Sequence, residues 1–505
     1  MGLEDFLALR KSGQLIVCAV VGAFAALGQA PFDLWFMPIL ALGALFALIR
    51  KARSPKHAFG LSWAAGMGYF AVALFWIIEP FLVDIARHGW MAPFALFGVS
   101  FGFGLFWAVA GWTTCHLRGQ AIAFICVFVV VEAIRGYALT GFPWAQIGHA
   151  FIDTPWLHWS SYAGSLGLTA LVVLGAVGVT CLIERQRRKG LGVLAVLMGL
   201  AVAGVARVPS FVQMADTPTI RIIHTNEAQE TRWDLAMIPA AFDKKLEFTG
   251  ATTDTAPDLI VWPETSIPVL LERADATLAA IADEARGTPV VAGLQRFDGE
   301  DFYNSLIRLN GEGEVDTIYD KHHLVPFGEY VPFGDQLAKI GIFGLADTTG
   351  GGYAAGSGPQ VIDFGALGKA LPLICYEGVF PQDVGGYEER PDFLLLITND
   401  AWFGEFSGPY QHLAQARLRS AEQGLPMIRA ANTGVSAMID PYGQVTHQMG
   451  LNEAGWLDAR LPPALPPTPY SRMGDFPIVA FALLLLGIAG LRARLGSRRS
   501  PRPSL

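Results

Sequence analysis

The sequence predicts a multi-pass α-helical membrane bundle of about eight spans joined to an α/β domain. Three observations predict it. Hydrophobic residues make up 52% and charged residues only 16% of the chain, against about 25% charged in an average soluble domain. The charge deficit is confined to the ends: residues 14 to about 209 and 476–491 are dominated by Leu, Ala, Val, Phe and Gly, and the long stretch between them has ordinary globular composition. Basic residues, finally, fall on alternate loops between the apolar runs.

A bilayer core about 30 Å thick is crossed by about 20 apolar helical residues. Candidate spans are 14–31, 35–49, 58–78, 92–115, 120–137, 163–183, 190–208 and 476–491, of which 35–49 and 476–491 are the shortest. Arg10 and Lys11 precede the first apolar run as they would in a secretory signal. Further spans follow directly and no small-residue cleavage site stands out, so the first span is expected to stay uncleaved. One set of loops and ends carries sixteen basic residues: Arg10 and Lys11, four within 50–56, Arg118, four within 185–189 and five within 492–502. The opposite set offers little beyond Arg87 and Arg207. The positive-inside rule then puts both termini in the cytoplasm and residues 213–465 on the far side.

The middle domain reads as α/β. Short β-rich runs recur at 219–225, 258–262, 290–294, 305–309, 370–375, 393–398 and 436–440, separated in part by helical patterns such as YQHLAQARLRSAEQG. Continuously apolar strands indicate sheets covered on both faces. The Pro-rich LPPALPPTPYSR (461–472) reads as a stiff linker back to the membrane. The expected domains are 1–212 with seven helices, 213–465, and 466–505 with linker, eighth helix and basic tail. A net charge of −8, with no basic stripe interleaved with aromatics, argues against a nucleic-acid partner.

Cysteine usage locates the chemistry. Cys18, Cys115, Cys126 and Cys181 lie in or at the ends of apolar spans, so Cys375 alone belongs to the outward domain, which therefore has no internal disulfide. A lone thiol in an oxidising compartment is a liability unless it has a task. By itself it reads as a buried core cysteine; its company points elsewhere. A thiol nucleophile needs a base, because the thiolate is the attacking species, and donors for the oxyanion of the intermediate. Glu264 ends the apolar run DLIVW behind Pro263, and Lys321 sits in YDKHHLVPFGEYVP, where prolines and Gly328 preclude a continuous helix. Each alone reads as a solvated charge. Together, three ionisable types punctuate strand ends.

WPE, YDKHHLVPFGEYVP and ICYE resemble the three motifs of the carbon–nitrogen hydrolase (nitrilase) superfamily, with its Glu–Lys–Cys triad, and NDAWFG (399–404) strengthens the match. With seven preceding spans and one following, the whole chain resembles the membrane-embedded apolipoprotein N-acyltransferase family within it. The resemblance implies an α-β-β-α sandwich for the middle domain. It implies Glu264 as general base, Lys321 as oxyanion stabiliser and Cys375 as nucleophile. It also implies Glu329 positioning the lysine or shuttling protons, Tyr376 and Glu377 supporting the nucleophile, and Trp233 near an acyl entrance. No metal or cofactor is implied. The implied reaction transfers a fatty acyl group from a phospholipid, phosphatidylethanolamine and its sn-1 chain, through a thioester to the amine of diacylglyceryl-cysteine in an apolipoprotein. The implied setting is a bacterial inner membrane with the catalytic domain in the periplasm. The family's early Gln-x-Asn is here His224-Thr225-Asn226, which leaves position 224 without an implied role.

Other residues carry less. His322 and His323 read as structural or supporting, with no metal or protease signature, and His412 as a surface residue. Glu132 and Arg135, one helical turn apart inside an apolar span, read either as a functional intramembrane pair or as a structural one, the structural reading being preferred. The Gly-rich loop 344–356 suits a lid or an ordinary surface loop. Two other classes compete with the transferase: a membrane-anchored amidase or nitrilase using water, and a transporter or lipid scaffold with a vestigial domain. Eight spans exceed an anchor's needs, and a complete Glu–Lys–Cys set argues against a vestige.

Overall fold

The computed structural model describes residues 3–208, 217–229, 232, 234–332 and 352–498. The chain divides into two compact units, Met1–Pro209 with Pro469–Leu505, and Ser210–Thr468.

The first unit is helical. Helices Lys11–Ala26, Phe36–Arg50, Pro55–Ala73, Ala92–His116, Ala121–Tyr137, Ser160–Ile183, Arg187–Val205 and Phe476–Arg498 occupy the eight positions expected of spans. Four stretches are long and apolar enough to cross a bilayer: Ile85–His116, Pro155–Ile183, Arg187–Val205 and Phe476–Leu495. A fifth arises if Pro55–Ala73 and Phe75–Phe81, bent by 52° at their junction, form one span. The first two helices have 16 and 15 residues, and at 1.5 Å per residue fall short of a core about 30 Å thick. Length and composition thus support a membrane bundle without a count of eight.

Small residues let these helices touch. A Cβ at Gly22 would lie 1.8 Å from the Ala65 carbonyl oxygen, and one at Gly68 would lie 1.9 Å from that of Ala19. Only glycine permits such backbone contact between Lys11–Ala26 and Pro55–Ala73, the packing device of membrane helices. Arg135 pairs with Glu132 and donates to the carbonyls of Phe142 (2.6 Å) and Trp144 (2.7 Å). The buried pair therefore fixes the segment that follows its helix, as the structural reading expects.

The second unit holds two six-stranded sheets. The first has the order β12-β1-β2-β3-β4-β5, with β1 (Thr219–His224), β2 (Leu259–Val261), β3 (Val290–Asp298), β4 (Asp301–Leu309), β5 (Val315–Asp320) and β12 (Gly455–Arg460). The second has the order β11-β10-β9-β8-β7-β6, with β6 (Ile362–Asp363), β7 (Lys369–Ile374), β8 (Phe393–Thr398), β9 (Met427–Ala431), β10 (Ser436–Ile439) and β11 (Val445–Met449). The central pairs β1/β2, β2/β3, β7/β8 and β8/β9 are parallel.

One apolar cluster joins the sheets face to face, with Ile220, Val261 and Leu306 from the first against Ile374, Leu395 and Ile428 from the second. Helices Ile238–Gly250 and Asp275–Ala285 cover the outer face of the first sheet through Phe248, Leu278 and Ile281. Helix Gly408–Gln423 covers that of the second through Ala416. The result is the expected α-β-β-α sandwich. Parallel strands covered on both faces explain why β7 and β8 read as unbroken apolar runs.

Candidate active site

Chemistry-bearing residues gather where strands end. Glu264 follows β2 after Trp262-Pro263, Lys321 follows β5 directly, Cys375 follows β7, and Asp400 follows β8. Sharp turns present them. Thr265, Phe327 and Cys375 have φ of +49°, +63° and +51°, a left-handed backbone that costs a non-glycine residue about 1–3 kcal/mol and clusters at functional sites.

The Glu264 turn is held from two sides. Arg232 donates through Nη2 to the carbonyls of Glu264 and Thr265, each at 2.6 Å. On the other side β3 passes so close that a Cβ at Gly293 would lie 2.7 Å from the Glu264 Cα and 2.4 Å from the Thr265 nitrogen. Glycine is required there.

Lys321 is fully buried. Its Nζ donates to Glu329 Oε1 at 2.7 Å and lies 3.8 Å from Glu264 Oε1. Asn304 bridges the two carboxylates, its Nδ2 2.8 Å from Glu264 Oε1 and 3.4 Å from Glu329 Oε1. Glu329 is anchored in turn by the Val325 N–H on Oε2 at 2.8 Å. Burial works against the ammonium, but the Glu329 and Glu264 carboxylates outweigh it and raise the lysine above its ordinary range. Lys321 is therefore a permanent cation.

Cys375 opens the short turn Cys375–Val379 and is itself buried. Burial, with the charge of Glu264, pushes its thiol up, partly offset by Lys321. Glu264 moves the same way: burial and then Glu329 raise its carboxyl against the pull of Lys321. A weak acid thus sits by a strengthened base, a pairing suited to transient proton transfer.

Glu377, wholly buried, pins the Cys375 turn. Its Oε2 accepts from the Ile374 N–H (2.6 Å) and the Tyr319 hydroxyl (3.0 Å), and its Oε1 from the N–H groups of His322 (2.7 Å) and His323 (3.3 Å). One carboxylate so ties the Cys375 turn to the Lys321 loop. Tyr376 packs edge-on against Phe380. His323 stacks on Phe380 and its Nδ1 meets Asp383 Oδ2 at 2.6 Å, a supporting place rather than a second nucleophile's base.

Beyond β8 lies a buried polar cluster. Asp400 accepts from Arg429 Nη2 at 2.6 Å and Thr398 Oγ1 at 3.0 Å, and meets His412 Nδ1 at 2.8 Å. Arg429 and His412 hold its carboxyl down at about 2 although burial opposes them. His412, expected at the surface, is 1% exposed. The correction has a plain cause: the helix that carries it covers the second sheet, and the inward face at that end meets an ion rather than apolar strands. His224 is likewise buried, its Nδ1 2.7 Å from Ser436 Oγ, and burial lowers it to about 4, so it is neutral.

Glu329 thus bonds Lys321 directly, and Glu264 lies within ion-pair range of the same ammonium, joined to Glu329 through Asn304. Cys375 is in electrostatic contact, and Glu377 holds the turn. Asn304, Arg232 and Thr398 were missed in the sequence, while Asp400 had a signal in NDAWFG. Trp233 lies outside the described residues, as do 344–351 of the Gly-rich loop. The loop's described end packs beside the cation: Tyr353 donates its N–H to the Glu329 carbonyl (2.9 Å) and stacks on Phe302. Among the described residues no group of three His, Cys, Asp or Glu could hold a metal ion.

Two family models match the chain: the apolipoprotein N-acyltransferase N-terminal domain over residues 21–178 and carbon–nitrogen hydrolase over 228–465. Full-length relatives named apolipoprotein N-acyltransferase include those of Rhodopseudomonas palustris (34% identical) and Brucella melitensis (36%), each alignment covering 95% of both chains. That of Caulobacter vibrioides is 34% identical, with 94% of each chain covered. Among solved structures, an amidase from Nesterenkonia sp. aligns at 19% identity over 54% of this chain and 98% of its own, with a TM-score of 0.38. A carbon–nitrogen hydrolase superfamily protein from Xanthomonas campestris aligns at 20% over 52% and 97%, with a TM-score of 0.37.

Proposed function

The chain belongs to the apolipoprotein N-acyltransferase family, and from that membership we propose that Cys375, Glu264 and Lys321 carry its reaction. The enzyme transfers a fatty acyl group from a phospholipid, through a cysteine thioester, to the N-terminal amine of diacylglyceryl-cysteine in apolipoproteins. The observation that carries the residue assignment is the buried Lys321 ammonium held between Glu264 and Glu329 at the mouth of the Cys375 turn.

Glu264 takes the thiol proton, and the thiolate attacks the ester carbonyl of the donor. Lys321 Nζ and the Tyr376 backbone N–H receive the charge that develops on the carbonyl oxygen, the kind of preorganised donors that dominate acyl transfer. The intermediate collapses by breaking the ester C–O bond. Lysophospholipid leaves as an alcohol with the proton held by Glu264, and the acyl group remains as a thioester. The acceptor amine then attacks that carbonyl and loses its proton to Glu264. Breaking the C–S bond completes the amide, and the sulfur recovers the proton, a ping-pong exchange. Glu329 positions Lys321, and Glu377 positions the nucleophile turn.

Finer features follow the same reading. Phosphatidylethanolamine is the donor, through its sn-1 chain. The sixteen basic residues on one side support eight spans with both termini in the cytoplasm, and residues 213–465 as a periplasmic catalytic domain on a bacterial inner membrane. Membrane-borne donor and acceptor give a reason for one chain to hold both units.

The experiment is cysteine replacement with acyl transfer as the readout. Cys375→Ala abolishes transfer to a diacylated lipopeptide, whereas single Ser or Ala replacements of Cys18, Cys115, Cys126 and Cys181 retain it. Transfer surviving Cys375→Ala would overturn the assignment.

A further inference from the structure

We propose that Lys245 and Glu227 are positioning residues for the base: together with Arg232 they hold three consecutive carbonyls of the Glu264 turn and tie that turn to the sheet that carries Cys375. The inference rests on the reading of Glu264 as general base and deepens it.

Lysine is an unusual choice for its place. Helix Ile238–Gly250 covers the first sheet, and its buried residues are Lys245, Phe248 and Thr249. A methionine there would pack without taking an ammonium from water, a step that costs much unless the charge is paired and hydrogen-bonded. The Lys245 ammonium is both. Its Nζ donates to the Ser266 carbonyl at 2.8 Å and pairs with Glu227 Oε1 at 2.8 Å. Arg232 Nη2 takes the carbonyls of Glu264 and Thr265. Two buried cations thus hold the carbonyls of Glu264, Thr265 and Ser266, and both line one small cavity with Glu227, Thr265 and Ser266.

The backbone at Thr265 is left-handed, a conformation that surrounding contacts must hold in place. The clamp supplies such contacts at the residue next to the base. The same helix also grips the chain before the base. Trp262 Nε1 donates to Thr249 Oγ1 at 3.0 Å, and the Thr249 hydroxyl donates to the Lys245 carbonyl at 2.8 Å. The segment 262–266 is therefore fastened two residues before Glu264 and two after it.

Glu227 gives the clamp its reference to the nucleophile. Its N–H donates to Asn432 Oδ1, and its carbonyl accepts from Asn432 Nδ2, both at 2.9 Å. Asn432 follows β9, and its own N–H donates to the Thr398 carbonyl at the end of β8, 3.0 Å away. Strand β8 pairs with β7, which leads into Cys375. A continuous path of polar contacts, Ser266–Lys245–Glu227–Asn432, so runs from the turn of the base to the sheet of the nucleophile, and loss of the Lys245 ammonium cuts it. The groups that face the Glu264 carboxylate itself are Lys321, Glu329, Asn304, Arg232 and Cys375. Lys245 acts through the backbone instead.

The test is a double-mutant cycle on the full chain in detergent, read by Cys375 alkylation with iodoacetamide and by acyl transfer. Lys245→Met should slow both about tenfold, since a misplacement of about 1 Å costs up to about 10²-fold, with KM for the phospholipid unchanged. In a Glu264→Gln background the same replacement should change alkylation by less than about twofold, the scatter between uncoupled sites. If Lys245→Met does not fold, Glu227→Gln keeps the side chain's size and removes only the counter-charge. It should slow alkylation at least about threefold when Glu264 is present and not when it is replaced. A Lys245→Met or Glu227→Gln chain that alkylates at the wild-type rate overturns the proposal. So does a slowing of equal size in both backgrounds, the mark of a purely structural role, whatever happens to the melting temperature. Glu264→Gln alone that keeps wild-type alkylation and transfer sinks the base reading instead, independently of Lys245.

Discussion

At Cys375 and Glu264 burial raises the thiol and the carboxyl together, so the base strengthens as the acid weakens. Activity should accordingly fall on the acid side at a pH above the ordinary glutamate range near about 4.3, as Glu264 takes up its own proton. Glu264→Gln removes the acceptor, so alkylation of Cys375 should slow and lose its pH dependence. Lys321→Met removes the cation and leaves the base. Alkylation has no tetrahedral oxyanion, so it should survive better than acyl transfer, which loses about 10²- to 10³-fold with an oxyanion donor. Some loss of alkylation is expected because Lys321 also favours the thiolate. Equal losses in the two assays would take the oxyanion role from Lys321. Glu264, Lys321, Glu329 and Cys375 were legible because each is an ionisable or nucleophilic side chain at a strand end or stiff turn. Asn304 was not legible: it is an ordinary polar residue within a strand, and its partner Glu264 comes from a distant segment.

Strands that are covered on both faces announced themselves, which is why β7 and β8 were legible as apolar runs with a residue of chemistry behind each. Strands β5, β11 and β12 were not, since VDTIYD, VTHQM and GWLDAR have mixed burial and no apolar run. Strand β9 was hidden by Arg429, a buried cation made tolerable by the Asp400 carboxylate and the Val435 carbonyl. The membrane helices show the converse limit. Composition locates them, but whether a 15- or 16-residue helix crosses depends on surroundings that hydropathy does not encode. At the level of elements the sharpest prediction is Gly293→Ala on β3. Its added methyl meets the backbone of Glu264 and Thr265, so stability should drop by about 1–3 kcal/mol, the scale of overpacking. Acyl transfer should fall more than alkylation-independent folding signals such as circular dichroism. Unchanged transfer in Gly293→Ala would mean that the Glu264 turn is not fixed by that contact.

Across the whole molecule, a chain whose family acylates lipoproteins combines a helical unit with a sandwich that carries a buried Glu–Lys–Cys set. The division into apolar ends and a mixed middle was plain in composition. The orientation rests on the one-sided distribution of basic residues, and it predicts that reporter fusions after Ala215 and at the C-terminus register opposite compartments. Both reporters in the cytoplasm would contradict it. The central claim, that the acyl group rests on Cys375 between donor and acceptor, has a direct measurement in intact-mass spectrometry after incubation with phospholipid and no acceptor. The account predicts one added acyl group on the wild-type chain, released by hydroxylamine or by a diacylated lipopeptide, and none on Cys375→Ala. A wild-type chain that transfers acyl groups without ever gaining that mass, or a Cys375→Ala chain that gains it, would contradict the account.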